Sequence, residues 1–87
     1  MRIDFTETGW ADYVYWQTED KKTLKRINLL IRDIIRDPFN GLGKPEPLKG
    51  DLSGFFSRHI DEANRIVYMI SEGKLEIYQC KGHYNEK

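Results

Sequence analysis

The chain has 87 residues, of which 39% are apolar and 13% aromatic, and its formal net charge is zero. This length provides one hydrophobic core and excludes a second, so residues 1–87 are interpreted as a single domain. A neutral chain is not expected to coat nucleic acid without specificity. The start lacks the apolar stretch of a signal peptide, and no segment approaches the roughly 20 apolar residues of a membrane span, so no membrane partner is expected.

The charged side chains are distributed unevenly along the chain. Residues 1–20 carry one basic and five acidic side chains, whereas residues 21–36 carry six basic and one acidic. The basic segment is either a solvated helix face or a surface for a phosphate backbone, and charge alone favours the solvated face. The single cysteine, Cys80, has no partner for an internal disulfide, which favours a reducing, cytoplasmic location.

The first half of the chain predicts one strand and two helices. Alternation in RIDFT, with Ile3 and Phe5 on one side, is typical of a short strand. Thr6 or Thr8 caps a helix through GWADYVYWQTED, and the predicted buried side of this helix contains Trp10, Tyr13, Val14 and Trp16. After a break at residues 18–20, a second helix runs through KKTLKRINLLIRDIIRD and ends before Pro38; its predicted core stripe contains Leu24, Ile27, Ile31, Ile34 and Ile35.

The second half predicts a long loop followed by strands. The loop runs from Pro38 to about Gly54 and is rich in glycine and proline, and loops of this length are often functional. FFSRHI, NRIVYMI and KLEIYQC follow as three strands joined by hairpins at DEA and SEG. We therefore predict an α+β fold in which two N-terminal helices pack on one face of a small, mostly antiparallel sheet that the first strand joins at one side. The opposite face, the loop and the tail remain for function.

Four side chains could together carry acid–base chemistry on a phosphodiester. Glu46 stands between Pro45 and Pro47, which limit its backbone freedom; the alternative is a rigid linker with an exposed charge. Arg65 opens a strand, where its guanidinium suits a phosphate, or it is an exposed charge that discourages edge pairing. His83 and Tyr84 lie near the C-terminus and could donate a proton and stack on a base, or form a frayed tail.

Cleavage of RNA beside a 2′-hydroxyl requires three functions. A base removes the hydroxyl proton, a cation stabilises the phosphorane, and an acid protonates the departing 5′-oxygen. Carboxylate, guanidinium and imidazole can supply them without a metal or another cofactor. His59 is interpreted as structural, and Cys80 with the two histidines lacks the spacing of a zinc site. No phosphate-binding glycine loop or hydrolase motif is present.

Several segments together resemble the YoeB toxins of the RelE/ParE superfamily. They are WADYVYWQ, DPFNGLGKPEPLKGDLSGFFSRHI, NRIVYMI and CKGHY, in collinear order over nearly the whole chain. The resemblance implies a RelE-like microbial RNase fold and the toxin of a type II toxin–antitoxin pair, with a YefM-type antitoxin. It also implies an mRNA interferase that cuts messenger in the ribosomal A site, with ribosomal RNA as a further contact.

The resemblance also assigns roles to individual residues. Glu46 corresponds to the general base, His83 to the general acid and Arg65 to the phosphate-stabilising cation. Tyr84 corresponds to the aromatic that orients the substrate. The supporting cations of the substrate site correspond to Lys49 and Arg58.

Two departures from the family pattern concern the tail. Gly82 stands where the family commonly has a bulky residue, which predicts a more flexible tail, and Asn85, Glu86 and Lys87 follow the histidine–tyrosine pair. Two alternatives remain open: a non-catalytic relative that binds antitoxin and DNA, and a relative that poisons another target. The small core also leaves open a homodimer.

Overall fold

The computed structural model describes residues 1–84, which form a five-stranded sheet with two helices packed on it. The strands are ordered β1-β5-β4-β3-β2; β1 is parallel to β5, and the other neighbours are antiparallel. This confirms the predicted fold class, including the meander of three strands and the first strand at an edge. The elements in chain order are β1 (Arg2–Phe5), α1 (Glu7–Glu19), α2 (Lys21–Arg36), β2 (Glu46–Pro47), a 3₁₀ turn (Gly50–Leu52), β3 (Phe56–His59), β4 (Arg65–Ser71) and β5 (Lys74–Gln79).

Thr6 joins the start of α1 to the sheet. Its Oγ1 accepts a hydrogen bond from Gly9 N–H at 3.0 Å, which caps the helix as predicted. Its own N–H donates to Ile77 O at 3.0 Å, and its hydroxyl donates to Tyr78 O at 2.7 Å. Gly9 permits this close approach, because a Cβ there would clash with the carbonyl oxygen of Ile77.

The ends of α2 follow the predicted signals. Asp20 caps the helix by accepting hydrogen bonds from the backbone N–H groups of Lys22 and Thr23 at 3.1 and 3.2 Å. The helix ends at Arg36, and Asp37 before Pro38 is extended. No helix among residues 1–84 is long and apolar enough to cross a membrane.

The predicted core faces of the two helices need correction. Trp10 is 53% exposed and Val14 is 42% exposed, whereas Trp16 is buried as predicted and Gly9 and Asp12 complete the buried side of α1. In α2, Ile35 is 38% exposed, and the prediction omitted Leu30, which is fully buried. The core between the helices and the sheet is formed mainly by Trp16, Ile27, Leu30, Ile31, Ile34, Ile66, Tyr68, Leu75 and Ile77.

The segment predicted as a long loop is more ordered than expected. It contains β2 and the 3₁₀ turn, and Leu48 within it is buried at 5% exposure. The N–H of Leu48 donates to Phe55 O at 2.9 Å, and the carbonyl of Gly43 accepts from His59 N–H at 2.6 Å. These contacts fix the segment against β3 and thereby fix the position of β2.

Candidate active site

Glu46 lies on a short edge strand at the margin of the sheet. It pairs with Ser57 of β3, and Pro47 follows it, which suits an edge strand because proline has no N–H to donate. The side chain is exposed, and its Oε1 accepts a hydrogen bond from the Tyr84 hydroxyl at 3.1 Å. The two residues are 38 positions apart in the sequence. The fold therefore brings the proline-flanked carboxylate to the C-terminal segment.

A row of paired residues crosses four strands on one face of the sheet. Glu46 pairs with Ser57, Ser57 with Val67, and Val67 with Gln79. A register shift beside Val67 makes Tyr78 an extra residue in β5, because Tyr68 pairs with Ile77 while Val67 pairs with Gln79. This β-bulge turns Gln79 from the helix side to the face that carries Glu46.

The C-terminal segment lies across this row. The Gln79 side-chain amide donates to His83 O at 3.0 Å, and the Tyr84 hydroxyl lies 3.0 Å from Ser57 Oγ as well as near Glu46. The His83 ring stacks on the Tyr84 ring with centroids 4.8 Å apart. His83 Nδ1 lies 3.2 Å from the Tyr84 carbonyl oxygen, which suits a hydrogen on Nδ1 and leaves Nε2 available for proton transfer.

Gly82 is held in place, contrary to the predicted flexible tail. Its φ of +74° lies in the left-handed region that favours glycine. Its N–H donates to Asn64 Oδ1 at 2.8 Å, and its carbonyl accepts from Arg65 N–H at 3.0 Å. Two hydrogen bonds thus hold the backbone of the residue before His83. Asn85, Glu86 and Lys87 lie outside the described residues.

Arg65 begins β4 directly opposite His59 of β3. The side chain is largely buried, and its Nη1 donates to the carbonyls of Asp61, Glu62 and Asn64 at 2.7, 3.1 and 3.1 Å. These three acceptors belong to the turn between β3 and β4, so the turn orients the guanidinium. Within residues 1–84, Nε and Nη2 of Arg65 make no hydrogen bond.

His59, interpreted from the sequence as structural, lies opposite Arg65 in the neighbouring strand. Burial lowers its pKa, and the charges of Arg65 and Lys44 lower it further, while the Glu46 carboxylate opposes them. A charge on His83 also lowers the pKa of His59. His59 therefore lies among the candidate residues. Strand alternation from Ser57, together with the pairing opposite Arg65, is the sequence signal that could have indicated this.

Arg58 does not lie where a substrate-binding cation was expected. It pairs with Ile66 on the helix side of the sheet, and its side chain is fully buried. Its guanidinium forms an ion pair with Asp33 at 2.7 Å and donates to the Tyr68 hydroxyl at 3.1 Å. We therefore correct this prediction: Arg58 is bound to groups of the protein interior, and strand alternation turns it away from its neighbour His59.

Lys49 is exposed at the residue before the 3₁₀ turn, three positions after Glu46. A groove of about 440 Å³ lies beside the C-terminal segment, and its lining contains Leu52, Tyr78, Gln79, His83 and Tyr84. Among residues 1–84, no three histidine, cysteine, aspartate or glutamate side chains are grouped so that they could hold a metal ion. The fold thus joins Glu46, Arg65, His83 and Tyr84 on one face with a groove beside them.

The fold, two helices on a five-stranded, mostly antiparallel sheet, is that of the small RelE-like toxins. The family model for the YoeB-like toxin of bacterial type II toxin–antitoxin systems matches residues 5–84. The chain is 60% identical to a Toxin YoeB of Streptomyces coelicolor over 84 residues, covering 97% of this chain and all of that protein. The chain belongs to the YoeB-like toxin family.

Solved structures of similar proteins have the same fold. The YoeB/ParE toxin from Agrobacterium tumefaciens superposes with a TM-score of 0.94 at 48% identity, covering 97% of this chain and 100% of that one. A YoeB dimer from Staphylococcus aureus has a TM-score of 0.90 at 41% identity, and the toxin of a heterotetrameric YoeB–YefM complex from the same organism has 0.89 at 41%. Each alignment to the Staphylococcus aureus chains covers 97% of this chain and 98% of the other.

Proposed function

We propose that this toxin is a metal-independent endoribonuclease, an mRNA interferase that cleaves messenger in the ribosomal A site. The observation that carries the proposal is the meeting of Glu46 and His83 at Tyr84, with Arg65 on the same sheet face opposite His59. Membership of the YoeB-like toxin family supports it. The groove beside His83 and Tyr84 offers space for an extended strand and a ring on which a base could stack.

The proposed reaction uses each side chain once. Glu46 removes the proton of the 2′-hydroxyl, whose oxygen attacks the neighbouring phosphorus. Arg65 stabilises the charge that develops on the phosphoryl oxygens, and His83 gives a proton to the 5′-oxygen as its bond to phosphorus breaks. The products are a 2′,3′-cyclic phosphate, or the 3′-phosphate after its hydrolysis, and a 5′-hydroxyl.

Tyr84 and Lys49 have supporting roles in this proposal. The Tyr84 hydroxyl donates to one oxygen of the Glu46 carboxylate, so we assign proton removal to the other, Oε2. Stacking of Tyr84 on His83 orients the imidazole. Lys49 is exposed beyond the base and would contact a phosphate next to the scissile one.

We propose two protein partners for the same chain. The antitoxin is of the YefM kind, as in the similar Staphylococcus aureus complex, and a second copy of the toxin is a partner in a homodimer, as in the similar Staphylococcus aureus dimer. An antitoxin segment that folds across the site would cover Glu46 and His83 and block the messenger.

Cleavage of ribosome-bound messenger tests the proposal. Purified wild-type protein should produce new 5′ ends at the A-site codon, and a messenger with a 2′-deoxy residue at the cut position should remain intact because the nucleophile is missing. Glu46→Gln and His83→Gln should each lower the cleavage rate by about 10²–10⁴-fold, the usual contribution of a general base or acid. Mapping of 5′ ends and single-turnover rates provide the measurement.

The matched control is Asp51→Asn, which removes an exposed carboxylate in the same segment as Glu46 and should leave the rate unchanged. Cleavage of the 2′-deoxy messenger would refute the proposed nucleophile. Full activity of Glu46→Gln would refute the base. Absence of any cleavage, with growth arrest retained on expression in bacteria, would favour a relative that poisons another target.

A further inference from the structure

The turn between β3 and β4 holds two parts of the proposed site at once. Its carbonyls at Asp61, Glu62 and Asn64 accept hydrogen bonds from Nη1 of Arg65. The side chain of Asn64 reaches in another direction, to the N–H of Gly82, the residue before His83. One turn, residues 60–64, is therefore bonded both to the guanidinium and to the segment that bears the imidazole.

Both polar atoms of the Asn64 side-chain amide form hydrogen bonds. Its Oδ1 accepts from Gly82 N–H at 2.8 Å, and its Nδ2 donates to the two Asp61 carboxylate oxygens at 3.1 and 3.2 Å. The Asp61 carboxylate is itself fixed by the N–H groups of Ala63 and Asn64 at 2.9 and 2.8 Å. The position requires a donor toward Asp61 and an acceptor toward Gly82, which an amide supplies and a carboxylate does not.

We infer that Asn64 is a positioning residue for His83, an inference that rests on the proposed function. The backbone of Gly82 is held on both sides of its Cα, by Asn64 Oδ1 at its N–H and by Arg65 N–H at its carbonyl. His83 follows directly, and its carbonyl is held by Gln79. Loss of the Asn64 contact frees the N–H side of Gly82 and lets the imidazole move away from the 5′-oxygen.

This inference predicts a defect confined to protonation of the leaving group. Asn64→Leu has a similar shape and removes both ends of the amide. It should lower kcat by about 10–100-fold, the effect of a displacement near 1 Å, and leave KM unchanged. Measurements use wild type and variants on ribosome-bound messenger with oxygen or sulfur at the 5′-bridging position of the cut linkage.

The sulfur substrate distinguishes positioning of His83 from general damage to the site. A thiol has a pKa of about 8.5, so the 5′-thiolate departs without a proton donor. The defect of Asn64→Leu should disappear on sulfur, as should that of His83→Ala, whereas Glu46→Gln should stay defective on both substrates. An equal loss on both substrates, or a normal rate on oxygen, would overturn the role of Asn64.

His83→Ala separates this inference from the proposed function. If that variant cleaves the oxygen substrate at the wild-type rate, the assigned acid is wrong, whatever Asn64 does.

Amide hydrogen exchange adds a readout without cleavage: Gly82 N–H should be protected in wild type and exchange faster in Asn64→Leu. An unprotected Gly82 N–H in wild type would overturn the inference. If Asn64→Leu does not fold, Asn64→Ala, a smaller change that also removes the acceptor for Gly82 N–H, takes the same tests.

Discussion

Gly82 shows how one residue can determine the pose of a proposed catalytic side chain. Its φ of +74° lets the chain turn so that its N–H meets Asn64 and its carbonyl meets Arg65 N–H. A residue with a Cβ would adopt this conformation at a cost of about 1–2 kcal/mol. The glycine that predicted a flexible tail is therefore the residue that permits a fixed one.

Replacement of Gly82 by alanine should destabilise the fold by about 1–2 kcal/mol and lower cleavage. Steric crowding does not cause this destabilisation, because no atom of the described residues lies within 4 Å of a Cβ added at Gly82. Gly73→Ala is the matched control: its φ is also +74°, its Cβ also meets open space, and it lies in the hairpin after β4. Urea unfolding should show similar losses of stability for the two variants, whereas the cleavage rate should fall only for Gly82→Ala. Equal cleavage rates of the two variants would contradict the role of Gly82.

At the scale of elements, β5 and α2 serve different sides of the molecule. The bulge in β5 turns Gln79 toward the site, while Leu75 and Ile77 remain in the core. In α2 the buried stripe faces the sheet, and lysines 21, 22 and 25 stay exposed, with Arg26 partly exposed beside them. The excess positive charge of this helix is therefore available to a polyanion.

Charge reversal on α2 tests this surface against the proposed ribosomal target. The fourfold variant with glutamate at positions 21, 22, 25 and 26 should bind ribosomes at least about tenfold more weakly near 0.1 M salt, and with a shallower salt dependence, because fewer counterions are released. Sedimentation with ribosomes across a salt series provides the measurement. Glu72→Lys, an exposed change in the β4–β5 hairpin, is the control. Unchanged affinity of the fourfold variant would exclude this contact.

At the scale of the whole molecule, Arg58 connects parts that are distant in the sequence. Its buried guanidinium pairs with Asp33 of α2 and donates to the Tyr68 hydroxyl of β4 and to backbone carbonyls of Asp37 and Leu42. The Asp33 carboxylate also accepts from Leu42 N–H at 2.9 Å. This network anchors the segment that leads to β2, and with it the position of Glu46.

The same network predicts a pH dependence of stability. Hydrogen bonds from Leu42 N–H and from Arg36 and Arg58 lower the pKa of Asp33 from 3.8 to about 2. Because the folded pKa is the lower one, the stabilisation is complete above the unfolded value and is lost as the pH falls from about 4 to 2. Urea midpoints followed by tryptophan fluorescence should therefore fall more steeply over this range for wild type than for Asp33→Asn.

The control for this measurement is Asp51→Asn, an exposed change in the 3₁₀ turn that should keep the wild-type slope. Equal slopes for wild type and Asp33→Asn would contradict the link between this carboxylate and stability. A lower midpoint of Asp33→Asn at neutral pH is also expected, because the buried guanidinium of Arg58 would lose its charged partner.

Local signals in the sequence predicted the elements well and the orientation of several side chains less well. Helix boundaries could be predicted because they depend on neighbouring residues, as at the caps Thr6 and Asp20 and at the stop before Pro38. The directions of Trp10 and Arg58 depend on which side of each element meets the core. Apolar or charged character alone does not determine that side.

The sequence by itself determined the order of the elements, the family resemblance and the chemical types available: a carboxylate, a guanidinium and an imidazole. The tertiary structure alone decided which of them meet. Strand pairing placed Arg58 in the interior and His59 beside Arg65, and the β5 bulge together with Asn64 fixed the tail beside Glu46. Periodicity describes one element at a time, whereas a site depends on pairing and on bulges that relate elements distant in the chain.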